Sequence, residues 1–172
     1  MVGLVALGAY KHYQPAPAIG GGLGDRPWRY IVIHHSASES DNADTINTEH
    51  INRGWKGIGY HFVIDNGNGG PDGGVEETFR WTQQTEGAHT GRTPDNEYNR
   101  FGIGICLVGN FTHHMPSRRQ MDSLDRLVRA LVKKYHIPPE NVIGHRDAPG
   151  AHTECPGDKL HAYIHQKLQP SL

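Results

Sequence analysis

Two histidines and a cysteine in separate stretches of this chain supply the donor set of a borderline-soft cation. His34 lies in Ile31–Ser36 (IVIHHS), while His145 and Cys155 lie in Gly144–Pro156 (GHRDAPGAHTECP). Tyr60 of Gly59–Ile64 (GYHFVI) stands alongside them. Two imidazoles and one thiolate suit zinc, and three protein ligands leave a fourth position for water, which separates a catalytic zinc from a closed structural one. His145 and Cys155 are too widely spaced for a zinc-finger pair. The case rests on a conjunction: a cysteine followed by Pro156 and Gly157 in a polar loop where packing needs no thiol, and a histidine ending an apolar strand. The chain has 13 histidines, and His35, His50, His61, His113, His114, His136, His152, His161 and His165 are read as surface or satisfied core groups without a ligand role. A competing reading makes Cys155 the nucleophile of a cysteine hydrolase, which requires a reactive thiolate in an electropositive, partly exposed site.

The elements that must position these residues alternate between strands and helices. Arg29–His34 is apolar on successive residues, as in a strand buried on both faces, and it delivers His34 at its end. Asp41 or Asn42 caps a helix over Ala43–Arg53, which Gly54 can stop. A second strand is expected at Tyr60–Asp65, followed by a glycine-rich turn over Asn66–Gly74 and a third strand at Val75–Arg80. Gly102–Val108 is apolar throughout and is expected at the centre of the sheet. Ser117 and Gln120 form a capping box for a long helix whose Met121, Leu124, Leu127, Val128, Leu131, Val132 and Tyr135 share one face, and Pro138 and Pro139 end it. Asn141–Gly144 forms a short edge strand that delivers His145, and Lys159–Leu168 is a last helix with Leu160, Ile164 and Leu168 inward. The fold class is therefore α/β, a single domain with a central mixed sheet flanked by helices.

With 172 residues the chain buries enough surface to fold as one domain without a stapling metal. A net charge of -1 from 17 basic and 18 acidic residues provides no field for gathering nucleic acid or anionic lipid. Cys106 sits in an apolar run and reads as a buried inert thiol, so the two cysteines make no disulfide framework. Val2–Tyr10 is far shorter than the ~20 apolar residues of a membrane span and lacks a basic leader flank. A trimmed leader or anchor and a frayed tail both remain open readings of it. Gln14–Pro27 is rich in proline and glycine, so residues 1–27 are expected to be an N-terminal segment and 28–172 the folded domain.

The segments IVIHHSA, INRGWKGIGYHFVI, EGAH, YNRFGIGICLVGNF, VIGHRD and TECPG, in this order, resemble the zinc-dependent N-acetylmuramoyl-L-alanine amidases of the type 2 family. That family includes phage lysozyme-amidases and peptidoglycan recognition proteins, and the likeness runs from about Trp28 to Leu168. The resemblance implies a peptidoglycan recognition protein-like fold, zinc on His34, His145 and Cys155, and Tyr60 near the metal. It places Thr153 where phage members carry a catalytic lysine and amidase-active recognition proteins carry threonine. The implied reaction is hydrolysis of the amide between N-acetylmuramic acid and L-alanine, with Tyr60 or Thr153 stabilising the oxyanion and Tyr60 or Glu154 as candidates for proton transfer. Within the polar Glu86–Arg100 segment, His89, Arg92 and Asn99 are the expected substrate contacts, Arg92 by bidentate pairing with a peptide carboxylate. Expected partners are peptidoglycan or muropeptides, with no nucleic acid, no membrane span and a monomeric chain. The expected location is the cell envelope or outside the cell, with a cytoplasmic phage-type lysin as the other possibility. A non-catalytic peptidoglycan-binding module is the alternative function; such members lack the zinc cysteine, and this chain has Cys155.

Overall fold

The computed structural model describes residues 24–91 and 93–172. Five strands, β1 (Tyr30–His35), β2 (Phe62–Ile64), β3 (Val75–Glu77), β4 (Gly102–Leu107) and β5 (Val142–Gly144), make one sheet in the order β3-β2-β4-β1-β5. β4 pairs in parallel with β1 and β2, β5 pairs in parallel with β1, and only β3 runs antiparallel, against β2. The sheet is thus mixed, with the all-apolar β4 at its centre and β5 at its edge, as the residue pattern predicts.

Side-chain alternation along the strands divides the interior in two. Ile31 and Ile33 of β1, with Ile103, Ile105 and Leu107 of β4, join the large core beneath α4 (Arg118–Tyr135) and α5 (Asp158–Tyr163). Leu124, Leu127, Val128 and Leu131 of α4 are all fully buried there, and Leu160, Ile164 and Leu168 follow from the C-terminal segment. The helix expected at Lys159–Leu168 is present, but beyond Tyr163 it widens into a π-helical turn, Ile164–Leu168. On the other face, Val63 and Cys106 pack with Ile46 and Ile58 under α1 (Ala43–Asn52). Of the two possible caps of α1, Asn42 is the one used: its side chain accepts from Thr45 N and Thr45 reciprocates on the Asn42 backbone.

Two expectations require correction. Val75–Arg80 is not one strand: Thr78 leaves the ladder after Glu77, its hydroxyl accepts from Arg80 N, and Phe79–Thr82 forms the short helix α2. The strand expected at Tyr60–Asp65 covers only Phe62–Ile64, which leaves Tyr60 ahead of it, and the polar segment before β4 contains a tight turn and the short helix α3 (Glu97–Arg100). Tertiary packing of Trp81 against Trp28 and Phe62 overrides the local strand preference at the first of these.

Gln120 connects helix to sheet. It completes the capping box with Ser117, and its buried amide donates to the carbonyls of Val108 (2.8 Å) and Ile64 (3.2 Å) at the ends of β4 and β2. Replacing it with Leu removes the donor from both carbonyls and half of the cap. Each loss costs on the order of 1 kcal/mol or more, so Gln120→Leu is expected to lower stability by about 2–3 kcal/mol in urea denaturation.

Candidate metal centre

The alternation that sends Ile31 and Ile33 into the α4 core turns Val32 and His34 to the opposite face, where His34 lies in register with Cys106 of β4. Gly144 ends β5, and the chain then turns through His145–Asp147. The loop that follows folds back on itself: Arg146 N donates to Cys155 O at 2.9 Å, closing its two ends together. His34, His145 and Cys155 thereby converge, with one donor atom from each lying within 4.8 Å of the others. His34 Nδ1 is 3.7 Å from Cys155 Sγ, close to the separation of roughly 3.5 Å expected for two ligands of one tetrahedral zinc.

The hydrogen bonds behind this cluster assign the protons on His34. His89 Nε2 faces the Gly102 carbonyl at 3.2 Å, and a carbonyl only accepts, so His89 carries its hydrogen on Nε2. Its bare Nδ1 lies 3.0 Å from His34 Nε2 and must accept from it. His34 is then left with its lone pair on Nδ1, facing Cys155. Burial, reinforced by the neighbouring histidines, holds His34 and His89 well below the usual imidazole range, and burial brings His145 down to about 4. All three rings are neutral at pH 7, as a metal ligand requires. Cys155 is pushed up to about 12 by burial, against the pull of the His35 N–H (3.3 Å from its sulfur) and the Arg146 charge. A cation must therefore displace its proton. The residues present fit zinc in donor type, spacing and tautomer.

His89 has space because two glycines surround it. A Cβ on Gly104 of β4 would lie 2.5 Å from the His89 ring, and one on Gly87 would lie 2.4 Å from it. His89, an expected substrate contact, lines the cleft, as does Asn99, and both ring nitrogens of His89 are engaged. Asn99 is committed in the same way: Oδ1 accepts from His89 N and Thr90 N, and Nδ2 donates to Thr90 O and Asn96 Oδ1. It shapes the loop that carries His89. Arg92 lies outside the described residues.

The cluster opens into a cleft of about 780 Å³. Tyr60 lines it with its ring centroid 5.0 Å from that of His34, and Thr153 lines it from the returning loop, its hydroxyl oxygen accepting from Cys155 N at 3.1 Å. Burial, then the Cys106 and Cys155 sulfurs, push the Tyr60 phenol well above its ordinary range, so it keeps its proton at neutral pH. Exposed Trp55, with Arg53 and Lys56, forms part of the rim. Arg80 is a cleft residue that the sequence pattern does not reveal: its buried guanidinium donates to the carbonyls of Ile58 and Glu86 and ties the Tyr60 segment to the His89 segment. His50 and His61 are satisfied core groups, accepting from Gly59 N and Gly104 N respectively.

A family model described as N-acetylmuramoyl-L-alanine amidase matches residues 24–158, and the chain belongs to that family. It is 34% identical over 151 residues to peptidoglycan recognition protein 1 of Bos taurus, covering 82% of this chain and 73% of that one. Among solved structures, the endolysin N-acetylmuramoyl-L-alanine amidase LysCS of Clostridium intestinale superposes with a TM-score of 0.69 at 32% identity, covering 83% of this chain and 84% of the other. Peptidoglycan recognition protein-LE, solved with tracheal cytotoxin, a monomeric diaminopimelic acid-type peptidoglycan, gives 0.66 at 30% identity, covering 83% and 81%. The relatives thus include both named amidases and recognition proteins. Among the described residues no helix is long and apolar enough to cross a membrane.

Two outcomes follow from this proton assignment. Zinc binding at pH 7 is expected to release close to one proton per ion, from Cys155, because the histidines are already neutral. Apparent affinity should then fall about tenfold per pH unit on acidification from 7 to 5, and more steeply near pH 4 as His145 begins to compete. Calorimetry in buffers of different ionisation enthalpy measures the proton count. Replacing His89 with Phe keeps a ring in the glycine slot but strands the His34 N–H, so zinc affinity is expected to drop about 10–100-fold in chelator competition.

Proposed function

We propose that residues 28–172 form a zinc-dependent amidase that hydrolyses the bond between N-acetylmuramic acid and L-alanine in peptidoglycan or its fragments. The observation that carries this reading is the buried donor set itself: His34, oriented by His89, meets Cys155 and His145 at the floor of an open cleft. Zinc held there supplies a Lewis acid for the scissile carbonyl and makes water acidic enough to attack near neutral pH.

The chain's own groups account for the remaining requirements. Tyr60 keeps its phenolic proton and lines the cleft beside His34, so it can donate to the oxyanion that develops on the substrate carbonyl. Thr153 accepts from Cys155 N through its oxygen, which leaves its hydrogen free to donate into the cleft and orient the substrate. At the rim, Trp55 offers an apolar face to a sugar or peptide, and Arg53 and Lys56 offer cations to stem-peptide carboxylates. A substrate of this kind is met at the cell envelope or outside the cell, where we place the activity of a monomeric chain.

A binding module without catalysis would need the cleft but not the thiol, and Cys155 is present and aligned. The cysteine-hydrolase reading requires a depressed thiol pKa, whereas burial drives Cys155 the opposite way.

Digestion of purified sacculi is expected to release stem peptides with a free N-terminal alanine and no new reducing sugar, as mass spectrometry and a reducing-end assay would record. Tyr60→Phe should lower kcat at least tenfold with zinc still stoichiometric. An inactive wild-type protein that holds zinc and binds cell wall would instead establish the recognition module.

A further inference from the structure

Away from the cleft, a second set of ligand-type side chains converges. Asp147 ends the turn that begins with His145, His161 lies on α5, and His165 lies four residues further on, in the π-helical turn. His161 Nε2 is 2.7 Å from Asp147 Oδ1, His165 Nε2 is 3.0 Å from Asp147 Oδ2, and the two rings are 4.5 Å apart. One donor atom from each lies within 4.8 Å of the others. The sequence pattern alone reads both histidines as surface groups without a ligand role; the fold brings them together on one carboxylate.

An independent hydrogen bond fixes the orientation of His165. Gln169 Nε2 donates to the Val142 carbonyl at 2.9 Å, which fixes the orientation of its amide. Gln169 Oε1 therefore faces His165 Nδ1, at 2.8 Å, and His165 must carry a hydrogen on Nδ1. In the neutral ring the Nε2 lone pair then points at a carboxylate oxygen 3.0 Å away. Two acceptors in contact require a positive charge between them, which either a proton on Nε2 or a bound cation supplies. An imidazole whose outer nitrogen donates to a fixed oxygen while its inner lone pair faces a carboxylate is also the arrangement that orients a metal-ligating histidine.

We propose that Asp147, His161 and His165 form a second divalent-cation site, separate from the His34–His145–Cys155 cluster, that binds a first-row transition ion and joins the C-terminal helix to the turn carrying His145. Two imidazoles and a carboxylate suit zinc, cobalt, nickel or copper, without the thiolate that favours zinc at the first centre. The three side chains are 25%, 27% and 36% exposed, so an ion can enter from solvent and water can complete its shell. That exposure and the harder donor set make this the weaker of the two sites. Asp147 Oδ2 also accepts from Gly144 N, at 2.9 Å, which holds the carboxylate in place and connects the ion to the residue before His145.

The test uses untagged full-length protein dialysed against cobalt(II), with bound metal and absorption followed together. Two equivalents are expected per chain. The tighter carries a thiolate-to-cobalt band from Cys155, and the second adds visible absorption without enlarging that band. His161→Gln and His165→Gln, made singly at these partly exposed positions, should each weaken the second equivalent at least tenfold and leave the thiolate band unchanged. Gln169→Leu removes the acceptor that sets the His165 tautomer and should weaken it about tenfold. A wild-type chain binding no cobalt outside the thiolate site would overturn the proposal, as would variants that retain the second equivalent at wild-type affinity. Neither result depends on amidase activity, because the readout is the second equivalent alone.

Discussion

A buried imidazole can offer a lone pair in one direction only if its other nitrogen has something to donate to, and the geometry around His34 is arranged to meet that condition. The Gly102 carbonyl dictates the proton on His89, and His89 dictates the proton on His34. The relay needs an aromatic ring packed closely against β4, where a side chain at Gly104 would collide with it. Gly104 on β4 and Gly87 before the histidine provide the space, at the cost of two positions that contribute no packing of their own. Asn99 then holds the backbone of His89 and Thr90, and Arg80 ties that loop to the segment before β2 that carries Tyr60. Much of the polar interior on this face serves to keep one nitrogen correctly protonated.

The division of the sheet into two faces explains how such a polar interior is tolerated. The α4 and α5 side carries an unbroken apolar core from Trp28 to Leu168. The opposite side has only small clusters, around Ile46 and Val63 and around Val32 and Ile143. Stability comes mainly from the first face, which leaves the second free to bury histidines, an arginine and an asparagine whose hydrogen bonds replace those they made with water.

Those two roles were unequally legible in the residues. The core is a matter of pattern, and the unbroken apolar runs of β1 and β4 with the period-3.6 face of α4 identify it, as does the Ser117–Gln120 capping box. His34 and His145 were legible because each closes an apolar strand, and Cys155 because nothing in a polar loop asks for a thiol. His89 was noticed for its place before the central strand, but its contact with His34 spans 55 residues and leaves no local trace. Arg80 was hidden by a segment that reads as strand and folds as a helical turn, because that assignment is decided by Trp28 and Phe62 packing on Trp81. Asp147, His161 and His165 look like ordinary surface residues until the turn after β5 is brought against the last helix.

Keeping four rings neutral inside the protein also sets the terms on which it meets acid. His34, His61, His89 and His145 all have proton affinities lowered by burial, His61 to about 3 and His145 to about 4. The unfolded chain accepts protons on these residues from about pH 6.5 downward, while the folded chain refuses them. Between those limits every step of acidification favours unfolding, and with several groups acting together the dependence is steep. Three of these four rings also prepare the site for a cation at neutral pH, His34 and His145 as donors and His89 as the group that orients His34, so the fold works as a neutral-pH device whose metal-binding and acid-labile parts overlap.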